Sequence, residues 1–529
     1  MKLSEMIRKN RMLIVFILAF AVIAAGMAVE FSRRMDASVA LSAAEHDPED
    51  VVFSGGIAGF PETRGFEWAI FVLGLIAAGT AAFLTLRYGW RKEKLFLAIV
   101  IPLGLIYLFM MVPLSIPDEQ AHYQASYEMS SILLFRPGTG TAEHFDYSGL
   151  FGHYNLSSGY ARVMRELFAP LGSGQEIKLS YRYNLAYPVM YLPQAFGLAL
   201  GRLIGGNLVQ IFAFGRLFNL LFYSLCVYWA IRLTSKYKTL FMMVGLMPMA
   251  IHQAASLSYD AFNIGGALLL FGAVLGAAER KEKITLREFT AVVLIGLLLI
   301  PAKPTNYPLL LIWLLIPSER FRNRKQKWLW LIGAWALVLA AALLIQLNGI
   351  SWVASPGEVE ANWEGKQNYS VVYALAHPLE AVKVYLNTIR IDGSWLFYQT
   401  IGNVLSGQTI PIPMKYIKIY LLLLILCVLR RENGNDRMTW KDRTILLGSG
   451  VLSVFLTMTT MFLTWTSVGR ETIQGLQGRY FVPCLLPLLL CLDNDVIVLR
   501  RDVDRFVIIT GLVMHAGIVM EVLCRTMLI

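Results

Sequence analysis

The run LFLAIVIPLGLIYLFMMV, from Leu95 to Val112, stands between the basic cluster Arg87-Tyr88-Gly89-Trp90-Arg91-Lys92-Glu93-Lys94 and the polar stretch Ser115-Ile116-Pro117-Asp118-Glu119-Gln120-Ala121-His122-Tyr123. As a helix the run rises ~27 Å, close to the ~30 Å hydrocarbon core of a bilayer, so it reads as a membrane span. Basic residues favour the cytoplasmic side, which places Asp118 and Glu119 at the opposite mouth. Ser115 is a fair helix N-cap with Asp118 as its capping-box partner, and Pro117 is tolerated in a first turn, so a short helix is expected to begin here. On that helix Asp118 and His122 share a face while Glu119 points ~100° away. A helix cap with ordinary interfacial charge is the plain reading of the pair, and a carboxylate site is the sharper one.

Working outward, the same alternation of apolar runs and basic clusters fills the chain. Of its 529 residues 56% are hydrophobic and only 16% charged, and the mean hydropathy is +0.56. An all-α polytopic membrane protein follows. The formal charge of +11 could suggest nucleic acid, but Lys and Arg fall mostly in short segments between spans, where they act as topology signals, and no nucleic-acid partner is expected. Five cysteines, Cys226, Cys427, Cys484, Cys491 and Cys524, lie in or at the ends of apolar runs without CxxC spacing, which supports neither a disulfide framework nor a zinc site. The basic start and the run 12–29 read as an uncleaved first span, since no small-residue cleavage site follows before Glu30.

With Lys2, Arg8, Lys9 and Arg11 cytoplasmic, spans are expected over residues 12–29, 67–86, 95–112, 209–231, 239–255, 261–278, 289–300, 307–316, 328–347, 418–429, 445–465, 480–492 and 506–523. That is about thirteen, with every strong basic cluster on one side and the C-terminus outside. Two large external segments remain, 113–208 and 348–413. Residues 187–204 are apolar but broken by Pro188 and Pro193, and they read as a helix at the membrane surface, because a span there would put the next basic cluster outside.

This topology collects four polar motifs on the external face: Asp118-Glu119, Ser258-Tyr259-Asp260, Lys303-Pro304 and Gln477-Gly478-Arg479-Tyr480. Each has a plainer explanation. Asp260 could cap the next helix, Lys303 could snorkel to the interface, and a lone Arg479 could be an orientation anchor. Trp352, Trp363 and Trp395 suit sugar stacking or, more commonly, an interfacial aromatic belt, and His144, His153 and His377 have no recognisable partners. The spans contain almost no ionisable residues in their middles, which argues against a pump or channel. What remains is a reaction at the outer surface, where a hydrophobic substrate enters from the bilayer and a polar one from water.

The ordered set Pro117-Asp118-Glu119-Gln120-Ala121-His122, Leu246-Met247-Pro248-Met249 with Ala255 to Asp260, Lys303-Pro304 and Gln477-Gly478-Arg479-Tyr480-Phe481 resembles the bacterial membrane family "domain of unknown function 2142", which is grouped with the GT-C glycosyltransferases. The resemblance covers Leu95 to Leu523 and leaves residues 1–94, with two spans, outside a shared core at 95–529. It implies a GT-C-like fold in a bacterial cell membrane and transfer of a sugar from a polyprenyl-phosphate carrier to a cell-envelope glycan or glycolipid. It also maps a catalytic base onto Asp118, with Glu119 and Asp260 as further acidic candidates. Lys303 and Arg479 would stabilise the departing phosphate, with Gln477 and Tyr480 beside them, and His122 could orient Asp118. No cofactor is expected; a Mg or Mn ion, if one is held, would bridge Asp118 and Asp260. A flippase for lipid-linked glycans and a scaffold subunit are the alternatives.

Overall fold

The computed structural model describes residues 11–45, 60–87, 90–135, 163, 166–171, 188–299, 303–347, 367–430, 438–494 and 496–526. His144, His153, Trp352, Trp363 and the basic start before Arg11 lie outside the described residues. Helices dominate: α1 (Arg11–Glu45), α2 (Phe60–Arg87), α3 (Lys92–Met110), α4 (Glu119–Leu133), α5 (Leu192–Leu203), α6 (Leu208–Leu233), α7 (Lys238–Gly245), α8 (Pro248–Ala254), α9 (Asp260–Glu279) and α10 (Leu286–Leu299). A 3₁₀ helix over Pro304–Leu315 precedes α11 (Arg324–Leu347), α12 (Val371–Ala376), α13 (Pro378–Ile391) and α14 (Gly393–Ile401). Last come α15 (Met414–Leu429), α16 (Trp440–Thr464), α17 (Val482–Leu490) and α18 (Asp504–Thr526). Among the described residues the strands are two short ones, β1 (Val404–Leu405) and β2 (Ile410–Pro411), paired antiparallel with Val404 opposite Pro411.

Apolar runs must form helices in a bilayer because the backbone has no water to bond. Seven stretches, within α2, α3, α6, α9, α11, α16 and α18, are long and apolar enough to cross alone. The other expected spans fall on α1 and on shorter or broken helices. The run 239–255 is split into α7 and α8 at Leu246-Met247, because Pro248 has no N–H with which to continue the α7 ladder. The run 307–316 falls on the twelve-residue 3₁₀ helix Pro304–Leu315, whose ~2.0 Å rise per residue carries it about 24 Å. At ~18 Å, the twelve-residue α5 is shorter than the bilayer core.

Helix α9 is the centre of the bundle, with 83% of its apolar window buried against 28% for α2 and α11. Its Gly272 lets the α6 backbone in: a Cβ there would stand 2.5 Å from the Ala230 carbonyl oxygen.

The basic clusters meet at one end of the bundle. Lys92 pairs with Asp504 at 2.8 Å, Arg430 bonds the same carboxylate, and Tyr237 donates to Asp493 at 2.7 Å. Arg280 and Arg320 share Glu288, at 3.0 and 3.1 Å. The four polar motifs meet at the other end.

Candidate functional site

The first side of the site is the turn between α3 and α4. Helix α4 starts at Glu119, four residues after the expected Ser115 cap, and Asp118 occupies the cap position with φ 63° and ψ 8° while making no capping bond. Ser115 instead accepts a hydrogen bond at its carbonyl from Ser406 Oγ, at 2.9 Å. The left-handed region costs an L-residue roughly 1–2 kcal/mol, and Asp bears it better than most. The conformation turns the two acids apart. The Asp118 side chain stays 52% exposed and accepts a hydrogen bond from Arg479 Nη2, while Arg479 Nη1 donates to the Pro117 carbonyl at 2.9 Å.

Glu119 goes inward. It is 1% exposed, and Arg216 of α6, also 1% exposed, grips it as a fork: Nε to Oε1 at 2.9 Å and Nη2 to Oε2 at 2.7 Å. The same carboxylate accepts the Leu114 and Leu257 amides, each at 3.0 Å. Arg216 also donates to the carbonyls of Leu108 at 3.2 Å, Met111 at 2.5 Å and Val112 at 3.2 Å. One buried pair therefore ties α6 to the turn before Asp118 and to the loop before Asp260. Neither Glu119 oxygen is left for the opening, unlike the sequence reading, which set it beside Asp118 among the catalytic candidates. Among the few ionisable residues within the spans is Arg216, which lies inside α6 and was not singled out in the sequence. A single Arg in so apolar a run is itself a signal.

The second side is the Asp260 loop. Asp260 is the first residue of α9; the capping position belongs to Tyr259, without a side-chain cap. The Asp260 carboxylate accepts Lys303 Nζ at 2.7 Å and lies 3.4 Å from Arg479 Nε. Lys303 sits where the chain passes from α10 to the 3₁₀ helix, held there by Pro304 at the first helical position. Its ammonium is 4.2 Å from the centre of the Tyr480 ring and 5.0 Å from that of Tyr259.

His122 completes the group. Its Nδ1 is 3.1 Å from the Tyr191 hydroxyl and its ring meets Tyr259 edge-on at 4.9 Å. Burial, helped by the Arg479 guanidinium, pushes the imidazole down to about 4, so His122 is neutral at neutral pH. Gln477 takes part through its carbonyl, which accepts the Tyr480 amide at 3.1 Å. Gly478 is wedged against α14: its amide donates to Gln399 Oε1 at 2.6 Å, and a Cβ would lie 2.4 Å from the Thr400 nitrogen. His252, another costly polar residue of the run before Asp260, is spent on structure, accepting the Ser406 amide at 3.0 Å.

Asp118, His122, Asp260, Lys303, Arg479 and Tyr480 are thus brought together, Glu119 lies beneath them and Gln477 beside them. Tyr191 and Gln399 went unnoticed in the sequence, since a Tyr or Gln at an apolar boundary carries no pattern of its own. Among the described residues no three His, Cys, Asp or Glu side chains gather as metal ligands. Of Asp118 and Asp260, the pair named for a Mg or Mn ion, Asp118 gives its Oδ2 to Arg479, and Asp260 gives one oxygen to Lys303 and lies with the other near Arg479. Two carboxylates already neutralised by cations do not fit a divalent ion, which would have to displace both partners.

A family model described as a predicted membrane protein, DUF2142, matches residues 101–489. The chain belongs to this family. No curated protein matches the chain, and no solved structure does. The DUF2142 match runs from within α3 to within α17 and encloses every residue of the site, whereas α1, α2 and α18 fall beyond it. The family description names a membrane protein and no activity.

Proposed function

We propose that this DUF2142 protein is a membrane glycosyltransferase that moves a sugar from a polyprenyl-phosphate carrier to a cell-envelope glycan or glycolipid on the extracytoplasmic face of a bacterial cell membrane. The observation that carries the reading is the grouping, at one end of an apolar bundle, of a half-exposed carboxylate, Asp118 at 52%, with the largely buried Arg479 it pairs with, at 3%, and with Lys303 at 18%, which shares Asp260 with Arg479. The acceptor hydroxyl adds to the anomeric carbon, its proton passes to Asp118, and the bond from that carbon to the phosphate oxygen breaks, so polyprenyl phosphate leaves with the electron pair. Arg479 and Lys303 stabilise the negative charge gathering on the phosphate. Asp260 holds Lys303 and steadies Arg479, neutral His122 packs behind them, and Glu119 stays out of the chemistry.

The test is transfer from purified polyprenyl-phosphate sugars by the protein in nanodiscs, with donor and acceptor classes chosen by comparing envelope glycans of wild-type and deletion cells. Sugar transfer that disappears in Asp118→Asn, with the protein still folded, supports the reading. Full transfer by that variant, or movement of labelled lipid across proteoliposomes with its sugar intact, overturns it in favour of a flippase. Silence of substitutions at all four motifs would favour a scaffold.

A further inference from the structure

Helices α12 and α13 lie outside the seven long apolar stretches, yet they present a wide apolar face. Val372 is 78% exposed, Leu375 77%, Leu379 86% and Leu386 61%. At ~100° per residue, Leu379, Val382, Leu386 and Ile389 of α13 fall within an arc of about 80°. Val384 and Thr388, nearly opposite, are buried at 3% and 1%. Lys383 and Arg390, both exposed, border one edge of the stripe. A soluble surface would not carry such a stripe, and a bilayer-spanning helix would not carry the two cations beside it.

The depth of this face follows from its inner side. The Tyr385 hydroxyl donates to Thr459 Oγ1 of α16 at 2.8 Å, and its ring lies 5.6 Å from Phe455 and 5.4 Å from Phe462. Helix α16 is one of the seven long stretches, and exposed Trp440 and Trp465, 67% and 50%, bracket it. The two positions are ~38 Å apart along the helix axis by the rise per residue, the separation expected of residues in the two interfacial aromatic belts. Thr459 is then ~9 Å inward of Trp465, and Phe455 further in. Phe455 is 51% exposed on this apolar helix, so the surface continuous with the α13 stripe faces lipid.

We infer that α12 and α13 lie in the plane of the membrane at the site end, with the apolar stripe in the outer acyl region and Lys383 and Arg390 at the level of the lipid phosphates. The occupant of the face is the bilayer itself. This inference is independent of the transferase reading, but it bears on the site. Thr388 Oγ1 of α13 accepts the Ile473 amide at 2.9 Å, and α14, next in the chain, holds Gly478 through Gln399 at 2.6 Å. The loop that ends in Arg479 is thereby hung from the membrane-lying helices, and Arg479 is kept at a fixed depth relative to lipid headgroups.

The test uses the full chain in nanodiscs of mixed zwitterionic and anionic phospholipid. Cys491 and Cys524, the two cysteines not fully buried, are replaced by Ala, and single cysteines at Leu386, Ile389 or the exposed loop residue Lys281 carry an environment-sensitive fluorophore. At Leu386 and Ile389 the emission should shift to the blue and be quenched several-fold more by a phospholipid spin-labelled near the headgroup than by an aqueous nickel chelate, with the reverse at Lys281. Quenching at Leu386 and Ile389 by the aqueous chelate, matching Lys281, overturns the inference. Protection from both quenchers overturns it too, since protein would then cover the face. Both outcomes are read without any activity assay, so they leave the transferase proposal to its own test.

Discussion

The two ends of this bundle use the same kinds of charged residue to opposite effect. At the basic end buried and exposed partners are mixed and shared: Arg280, 55% exposed, reaches a Glu288, 21% exposed, that also serves Arg320 at 2%, and Asp504 at 8% takes both Lys92 and Arg430. At the site end the pairs are few and mostly buried. Arg216 and Glu119 are 2% and 0% exposed at their side chains, and of the group only Asp118 faces out, at 52%. Solvated pairs tolerate loss, because water replaces the partner, whereas a buried charge stripped of its partner has nothing to replace it. The outer pair of the basic end, Arg280 with Glu288, therefore tolerates change, whereas the Arg216–Glu119 pair at the site end does not.

This contrast can be broken or sharpened in graded ways. Asp118→Asn should lower sugar transfer by about 10²–10⁴-fold, the usual worth of a general base, with thermal stability nearly unchanged; kinetics with a polyprenyl-phosphate sugar measure it, and an unaltered rate would sever the site from the proposed chemistry. Arg216→Ala should destabilise the fold by ~3–5 kcal/mol, because Glu119 is left buried and unpaired. Detergent-solubilised melting should show the loss, and replacing both partners, Arg216→Met with Glu119→Leu, should recover much of it.

Acidification probes the site end through His122. His122 binds its proton at about 4 in the fold, against ~6.5 in the unfolded chain. Between those values only the unfolded state takes up the proton, so stability should fall as the pH drops through that window, and a melting series on His122→Gln should lack that part of the slope. Gly478→Ala, whose methyl would meet the Thr400 nitrogen, should cost ~1–3 kcal/mol and displace Arg479, read as weaker binding of polyprenyl phosphate. Smallest of all, Arg280→Ala at the basic end should change stability by no more than ~1 kcal/mol.

The residues that stood out in the sequence did so because they are expensive where they lie. Asp118, Asp260, Lys303 and Arg479 were legible as polar motifs at the ends of apolar runs, and the rule for basic clusters was enough to gather them at one end. The capping-box reading of Ser115 and Asp118 failed because local propensity was weighed without Arg216, which draws Glu119 inward and leaves Asp118 in the left-handed region. Arg216 itself passed unremarked, its partner being 97 positions away in the chain. The lipid-facing stripe of α13 was hidden in a segment that reads only as an external loop, since an 80° arc is visible only once the helix and its buried face are known.

By itself, the sequence determined the all-α membrane architecture, the family and the four motifs at one end, because hydropathy and charge act locally and add along the chain. Only the tertiary structure decided which of two adjacent acids faces the opening, which cation each carboxylate meets, and how α13 hangs the Arg479 loop. Those outcomes depend on partners distant in sequence, and pairing in a low-dielectric interior turns on ångström distances that no local pattern encodes.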